Sequence, residues 1–127
     1  MTSRPSIIVV DDETDIRDLL VDWLGDAGYR ALAAADPAAA LALLEGNPEV
    51  ELLLTDIVMP GGLNGFDLAR RARLRRPGLK VIFISAYSMA EAVLQARPDS
   101  EPILRKPFRQ GQLTIEVQRA LGAGAAA

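Results

Sequence analysis

Apolar residues along the chain fall into two alternating patterns. Residues 7–10 (IIVV), 52–55 (LLLT) and 81–84 (VIFI) are short runs with no polar alternation, as in strands covered on both faces of a parallel sheet. Between the first two runs, Ile16, Leu19, Leu20, Trp23, Leu24 and Ala27 repeat at i, i+3, i+4, i+7, i+8 and i+11, the apolar stripe of a helix. Gly28 is its expected end. "YRALA" (residues 29–33) is partly polar and reads as an edge strand. Asp36-Pro37 then supplies an N-cap and a proline at the first helical position, opening an alanine-rich helix that stops between Gly46 and Pro48. A third helix is predicted from Phe66 to Arg75, closed by Pro77-Gly78. Met89, Ala92, Val93 and Ala96 make a fourth helical stripe. A short strand at Ile103 and Leu104 and a helix carrying Leu113, Val117, Ala120 and Leu121 complete the pattern.

Five strands alternating with five helices predict an α/β fold: one doubly wound parallel sheet with right-handed crossovers and helices on two faces. The chain has 127 residues, the usual length of one domain. The expected division is a domain over residues 1–121 and a flexible tail over 122–127, where "GAGAAA" offers nothing to pack. No internal repeat or linker is visible.

Composition narrows the chemistry. There is no cysteine and no histidine, which excludes disulfides, thiol nucleophiles, Ser-His dyads and imidazole ligands. The net charge of -3 gives no overall basicity for nucleic acid. Arg70, Arg71, Arg73, Arg75 and Arg76 crowd one helix, but no aromatic residues interleave to stack on bases; the cluster reads as a solvated face able to meet an acidic partner. No run reaches the roughly 20 apolar residues of a membrane span, and "MTSRPS" has no signal-peptide pattern. The expected location is cytoplasmic.

In a parallel sheet the residues just past each strand gather along one edge, where such sheets bind ligands. Here that edge receives Asp11 and Asp12 after the first strand, Asp56 after the third, Ser85 after the fourth and Lys106 after the fifth. Taken singly, an Asp after a strand is a turn former or helix cap; together the set points to a site. Carboxylates a few ångströms apart raise one another's pKa and need compensation. A hard divalent cation supplies it, and Mg2+ suits better than Ca2+ because it needs only one or two carboxylates and leaves coordination for a phosphate oxygen. With Lys106 and the Ser85 hydroxyl nearby, the Asp56 carboxylate can act as the nucleophile toward a phosphoryl group.

At this point the sequence resembles the receiver domains of response regulators in two-component signal transduction (CheY-like). The resemblance runs through nearly the whole chain, in "IIVVDDE", "LLLTDIVMPGGLNGFDLA", "VIFISAY" and "ILRKPF". It implies a sheet order of 2-1-3-4-5, Asp56 as phosphoacceptor, Asp11 and Asp12 as metal carboxylates, and a further metal ligand from the Val58 backbone carbonyl. It also implies that Ser85 contacts the phosphoryl group, that Lys106 pairs with it, and that the peptide before Pro107 is cis. The expected function is that of a regulatory phosphoacceptor, not of an enzyme acting on other substrates. It would take its phosphoryl group from a sensor histidine kinase or histidine phosphotransfer protein and signal to a downstream protein through the fourth helix, fifth strand and fifth helix. A homodimer on phosphorylation fits the same family; a chain with no effector segment after Leu121 has to pass its signal through a surface.

Two features depart from the commonest family pattern. Ile103 stands where an aromatic switch residue is usual, three positions before the lysine, and Tyr87 is the aromatic residue nearest to taking over that part. "MPGGLNG" is one residue longer than the usual "MPxxxG". Val58 and Tyr87 flank the phosphoryl position in the family, and an apolar and an aromatic side chain there predict a long-lived phosphoryl state. Two other phosphate chemistries fit less well. A haloacid-dehalogenase-like phosphatase places a second Asp two residues after its nucleophile, where this chain has Val58, and a flavodoxin-like FMN protein needs a phosphate loop where this chain has "DDE". A docking module with the same fold and no phosphorylation is the remaining alternative.

Overall fold

A computed structural model of the chain describes residues 5–59, 64–86 and 101–122. Its strands are β1 (Ser6–Val10), β2 (Arg30–Ala34), β3 (Val50–Asp56), β4 (Lys80–Ser85) and β5 (Ile103–Arg105), and its helices are α1 (Thr14–Asp26), α2 (Pro37–Gly46), α3 (Gly65–Arg75) and α4 (Gln110–Leu121). The strands form one sheet in the order β2-β1-β3-β4-β5, with every neighbouring pair parallel. Both the class and the strand order agree with the sequence expectation. The helix expected from Met89, Ala92, Val93 and Ala96 lies outside the described residues, as does most of the expected tail.

The strand sequences explain why the sheet is covered twice. Successive side chains of a strand point to opposite faces. Ile8 and Val10 of β1, Leu53 of β3, and Val81 and Phe83 of β4 pack with Ala40 and Leu44 of α2 and Leu68, Ala69 and Ala72 of α3. Ile7, Val9, Leu52, Leu54, Ile82 and Ile84 point the other way, onto Leu20 and Leu24 of α1 and Leu113 and Val117 of α4. A run such as IIVV therefore fills two cores at once, which is why it lacks polar alternation. Phe66 meets Phe83 edge to face at 4.9 Å in the first core, and Trp23 meets Phe108 at 6.2 Å beside the second.

Local signals set the helix ends. The Asp36 carboxylate accepts from the Ala39 N–H at 2.8 Å, with Pro37 opening α2. Asn64 caps α3 through the Asp67 N–H at 2.9 Å. After α1, Gly28 takes φ +92°, a left-handed conformation that glycine adopts without the Cβ clash. One expectation is corrected in α1: Leu19 is 41% exposed and Ala27 is exposed, so the buried stripe is narrower than the apolar pattern. No helix among the described residues is long and apolar enough to cross a membrane.

Candidate functional site

The carboxyl ends of β1, β3 and β5 bring four of the predicted residues into one cluster. One carboxylate oxygen from each of Asp11, Asp12 and Asp56 lies within 4.8 Å of the others. Lys106 Nζ is 3.4 Å from Asp11 Oδ2, 3.5 Å from Asp56 Oδ2 and 3.9 Å from Glu13 Oε1. Asp11 is fully buried, Asp56 nearly so, and Asp12 is exposed at the mouth.

Backbone hydrogen bonds between strand ends hold this edge. The Ile57 N–H donates to the Ile84 carbonyl at 3.0 Å and the Lys106 N–H to the Ser85 carbonyl at 2.9 Å, so the segments after β3, β4 and β5 are laced together in the order that carries Asp56, Ser85 and Lys106. The Lys106–Pro107 peptide is cis, as the resemblance implies. On the β1 side, the Glu13 N–H donates to Asp11 Oδ1 at 2.9 Å, turning the Asp11 side chain back over its own loop. Ser85 is fully buried, and its hydroxyl has no hydrogen-bond partner among the described residues. Buried polar groups are rarely left unpaired, so this hydroxyl is a donor at the end of β4 without a ligand of its own.

Val58 lies two residues past β3 and is 63% exposed. Ile103 begins β5 half-buried and packs beside the first core. Tyr87 lies outside the described residues, as do positions 60–63 of the lengthened loop. The far end of that loop is fixed at Gly65, whose N–H donates to the Ile57 carbonyl at 2.7 Å. A Cβ at Gly65 would stand 2.3 Å from the Asp56 carbonyl oxygen and 3.0 Å from Ile57 Cα. Only glycine lets the start of α3 approach the end of β3 so closely.

Burial pushes the Asp56 carboxyl up to about 6. The Lys106 ammonium pulls the other way and is outweighed, while the Asp11 and Asp12 charges add to the rise. Burial lowers the Lys106 ammonium, but Asp56, Asp11 and Glu13 overcome that effect and raise it on balance. One lysine thus faces more negative charge than it can balance, the condition under which a cation is drawn in. All the side-chain donors are carboxylate oxygens, which suit a hard divalent ion.

Arg17 was not among the residues the sequence singled out. Its guanidinium donates to the Asp11 backbone carbonyl at 2.8 Å and reaches Thr14 Oγ1 at 3.5 Å, fixing the loop that carries two of the three carboxylates. A signal for it existed: an arginine in the first turn of a helix opposes the helix dipole, so it needs a local acceptor to explain its place.

Comparison with known proteins agrees with this arrangement. The family profile "Response regulator receiver domain" matches residues 7–118. The "Response regulator receiver protein CpdR" of Brucella abortus is 38% identical over 120 residues, covering 91% of this chain and 95% of that protein. The "DNA-binding transcriptional regulator NtrC" of Bradyrhizobium sp. is also 38% identical, but the matched 91% of this chain spans only 24% of NtrC. A crystal structure of a response regulator receiver protein from Sinorhizobium medicae superposes with a TM-score of 0.83 at 29% identity, covering 98% of both chains. The profile, the near full-length relative and the shared fold agree, and with the acidic strand-end cluster they identify the chain as a member of the response-regulator receiver domain family, a family of regulatory signalling domains.

Proposed function

We propose that this chain is a phosphoacceptor switch, which takes a phosphoryl group onto Asp56 from a sensor histidine kinase or a histidine phosphotransfer protein and signals through altered protein contacts. The observation that carries this reading is the convergence of three carboxylate oxygens within 4.8 Å, with Lys106 Nζ 3.4 Å and 3.5 Å from two of those side chains. Asp11, Asp12 and Asp56, with the Val58 backbone carbonyl, would hold Mg2+. When bound, that ion supplies positive charge to the carboxylates and to the oxygens of the incoming phosphoryl group.

The chain's own groups have distinct parts. An Asp56 carboxylate oxygen forms the new bond to phosphorus as the bond to the donor nitrogen breaks, and the leaving group keeps that electron pair. Ionised Asp56 is the reactive form, so a carboxyl raised to about 6 by burial needs its surroundings to favour the anion. Lys106 serves that end before transfer and pairs with the phosphoryl oxygens after it. The Ser85 hydroxyl, unpartnered among the described residues, donates to one of those oxygens. Such a chain catalyses only its own phosphorylation and dephosphorylation. Its donor is a protein of the cytoplasm, and its downstream target binds the face of β5 and α4, together with the segment before β5.

The test is intact-mass analysis after incubation with acetyl phosphate and Mg2+. One phosphoryl mass is added to the wild type and none to Asp56→Asn. Absence of added mass in the wild type would instead indicate a docking module that works unphosphorylated. In the same assay, after the donor is removed, Val58→Asn loses the added mass faster than the wild type, because a polar side chain at an exposed position beside Asp56 admits and orients water; equal rates dismiss the proposed shielding by Val58.

A further inference from the structure

Two helices on opposite sides of the sheet carry matching surfaces that the phosphoacceptor site does not use. On α1, Asp15, Asp18 and Asp22 are all exposed. With Leu19 they fall within an arc of about 100° at the helical repeat of about 3.6 residues per turn. Arg17 does not neutralise this stripe, because its guanidinium is directed to the Asp11 carbonyl. On α3, Arg73 and Arg76 turn inward: Arg73 Nε binds the Leu79 carbonyl, and Arg76 binds the carbonyls of Leu44, Asn47 and Val50. That leaves Arg70, Arg71 and Arg75 exposed around Leu74, which is itself 85% exposed.

Each surface is therefore an exposed leucine set among charges of one predominant sign, acidic on α1 and basic on α3, where Arg70 also pairs with Asp67. Leu74 is the most exposed large apolar residue described, while Leu19 is 41% exposed. Arg71 has no ion pair among the described residues, and Arg75 holds only Glu45 at 2.8 Å. Exposed pairs of this kind contribute little, and a guanidinium has donors to share with a second carboxylate. Charge complementarity around a small apolar centre is the arrangement that orients protein association.

We propose that the α1 face of one copy of this chain docks on the α3 face of a second copy. The two faces pack on different sides of the sheet, α1 over the core of Leu20 and Leu24 and α3 over that of Leu68 and Ala72. The contact is consequently heterologous: each copy keeps one unused face of each kind, and association continues from dimer to longer species instead of closing on a two-fold axis. The contact is small and charge-dominated, hence transient and sensitive to salt. It needs no phosphorylation.

Sedimentation equilibrium tests this at protein concentrations up to about 1 mM, where a contact with millimolar Kd is half-formed. At about 0.05 M salt the mean mass rises with concentration above the 13.6 kDa of one chain. At about 1 M salt, where screening shortens to about 3 Å, it returns to that value. Arg71→Gln with Arg75→Gln removes association, as does Asp18→Asn with Asp22→Asn. Each variant retains one intact face, so a mixture of the two restores a dimer and nothing larger. Leu74→Ser, which changes no charge, weakens association without altering its salt dependence. A wild type that stays monomeric at low salt, variants that associate as the wild type does, or a mixture that fails to form a dimer would each overturn the proposal.

Discussion

Asp56 shows how one residue can be costly to the fold and needed by the site. Its side chain is 10% exposed, and burial lifts its carboxyl to about 6, against about 3.9 in an unfolded chain. A folded-state pKa above the unfolded value means that folding favours the protonated form. The contribution to stability is fully present below about pH 4 and is lost as pH rises through about 6, at a cost of about 3 kcal/mol by neutral pH. Asp56→Asn carries no charge to bury. With divalent ions chelated, it is expected to be more stable than the wild type by up to about 3 kcal/mol at pH 7.5, with the gain shrinking toward zero near pH 4. Urea unfolding across that range measures it, and a difference that does not vary with pH would contradict the assignment. The convergence of Asp11, Asp12, Asp56 and Lys106 was legible in the sequence, because a residue at the carboxyl end of a strand has its place fixed by the strand. Arg17 was legible only as an arginine misplaced against the helix dipole; its acceptor, the Asp11 backbone carbonyl, is recorded by no side-chain pattern.

At the scale of elements, the most constrained contact is that between the start of α3 and the end of β3. Gly65 lies against the Asp56 and Ile57 backbone, and backbone cannot move aside as a flexible side chain can. Gly65→Ala is expected to cost roughly 1–3 kcal/mol, the range for overpacking a close contact, and to lower the rate of Asp56 phosphorylation as well, since the displaced carbonyl belongs to the phosphoacceptor itself. Thermal unfolding and the acetyl phosphate assay check the two parts. Alanine there with unchanged stability would show that α3 can withdraw without loss. The glycine was visible in "LNGF", but its reason was not, for its φ is not in the left-handed region and only the approach of a distant strand demands it. The ends of α1 and α2 were readable because Gly28, Asp36 and Pro37 act locally. The inward face of α1 was less so: its apolar stripe included Leu19 and Ala27, and periodicity alone does not say how wide a sector of the helix the sheet covers.

For the whole molecule, the excess of acidic groups at one sheet edge ties folding to the solution around it. Among the described residues each face of the sheet carries a buried apolar cluster, so folding is driven by packing, yet it works against the repulsion among Asp11, Asp12 and Asp56. An ion that binds only the folded chain stabilises it by RT ln(1 + [L]/Kd), about 1.4 kcal/mol when free ion is tenfold above Kd. In a chain of this length that is a rise of several degrees in Tm. Mg2+ should therefore raise Tm above the value in chelator, whereas Na+ at matched ionic strength should not, since screening relieves exposed charges more than buried ones. Asp12 is exposed and contributes no core packing, so Asp12→Asn tests the ion directly: this variant is expected to keep the wild-type Tm in chelator or exceed it slightly, and to lose most of the Mg2+ increment. Trp23, the one tryptophan, packs edge-on against Phe108 two residues beyond Lys106, which gives a fluorescence readout of the same titration from inside the fold. Superimposable unfolding curves with Mg2+ and with chelator would mean that the three carboxylates tolerate one another unaided, and the case for a divalent ion at this sheet edge would fail with them.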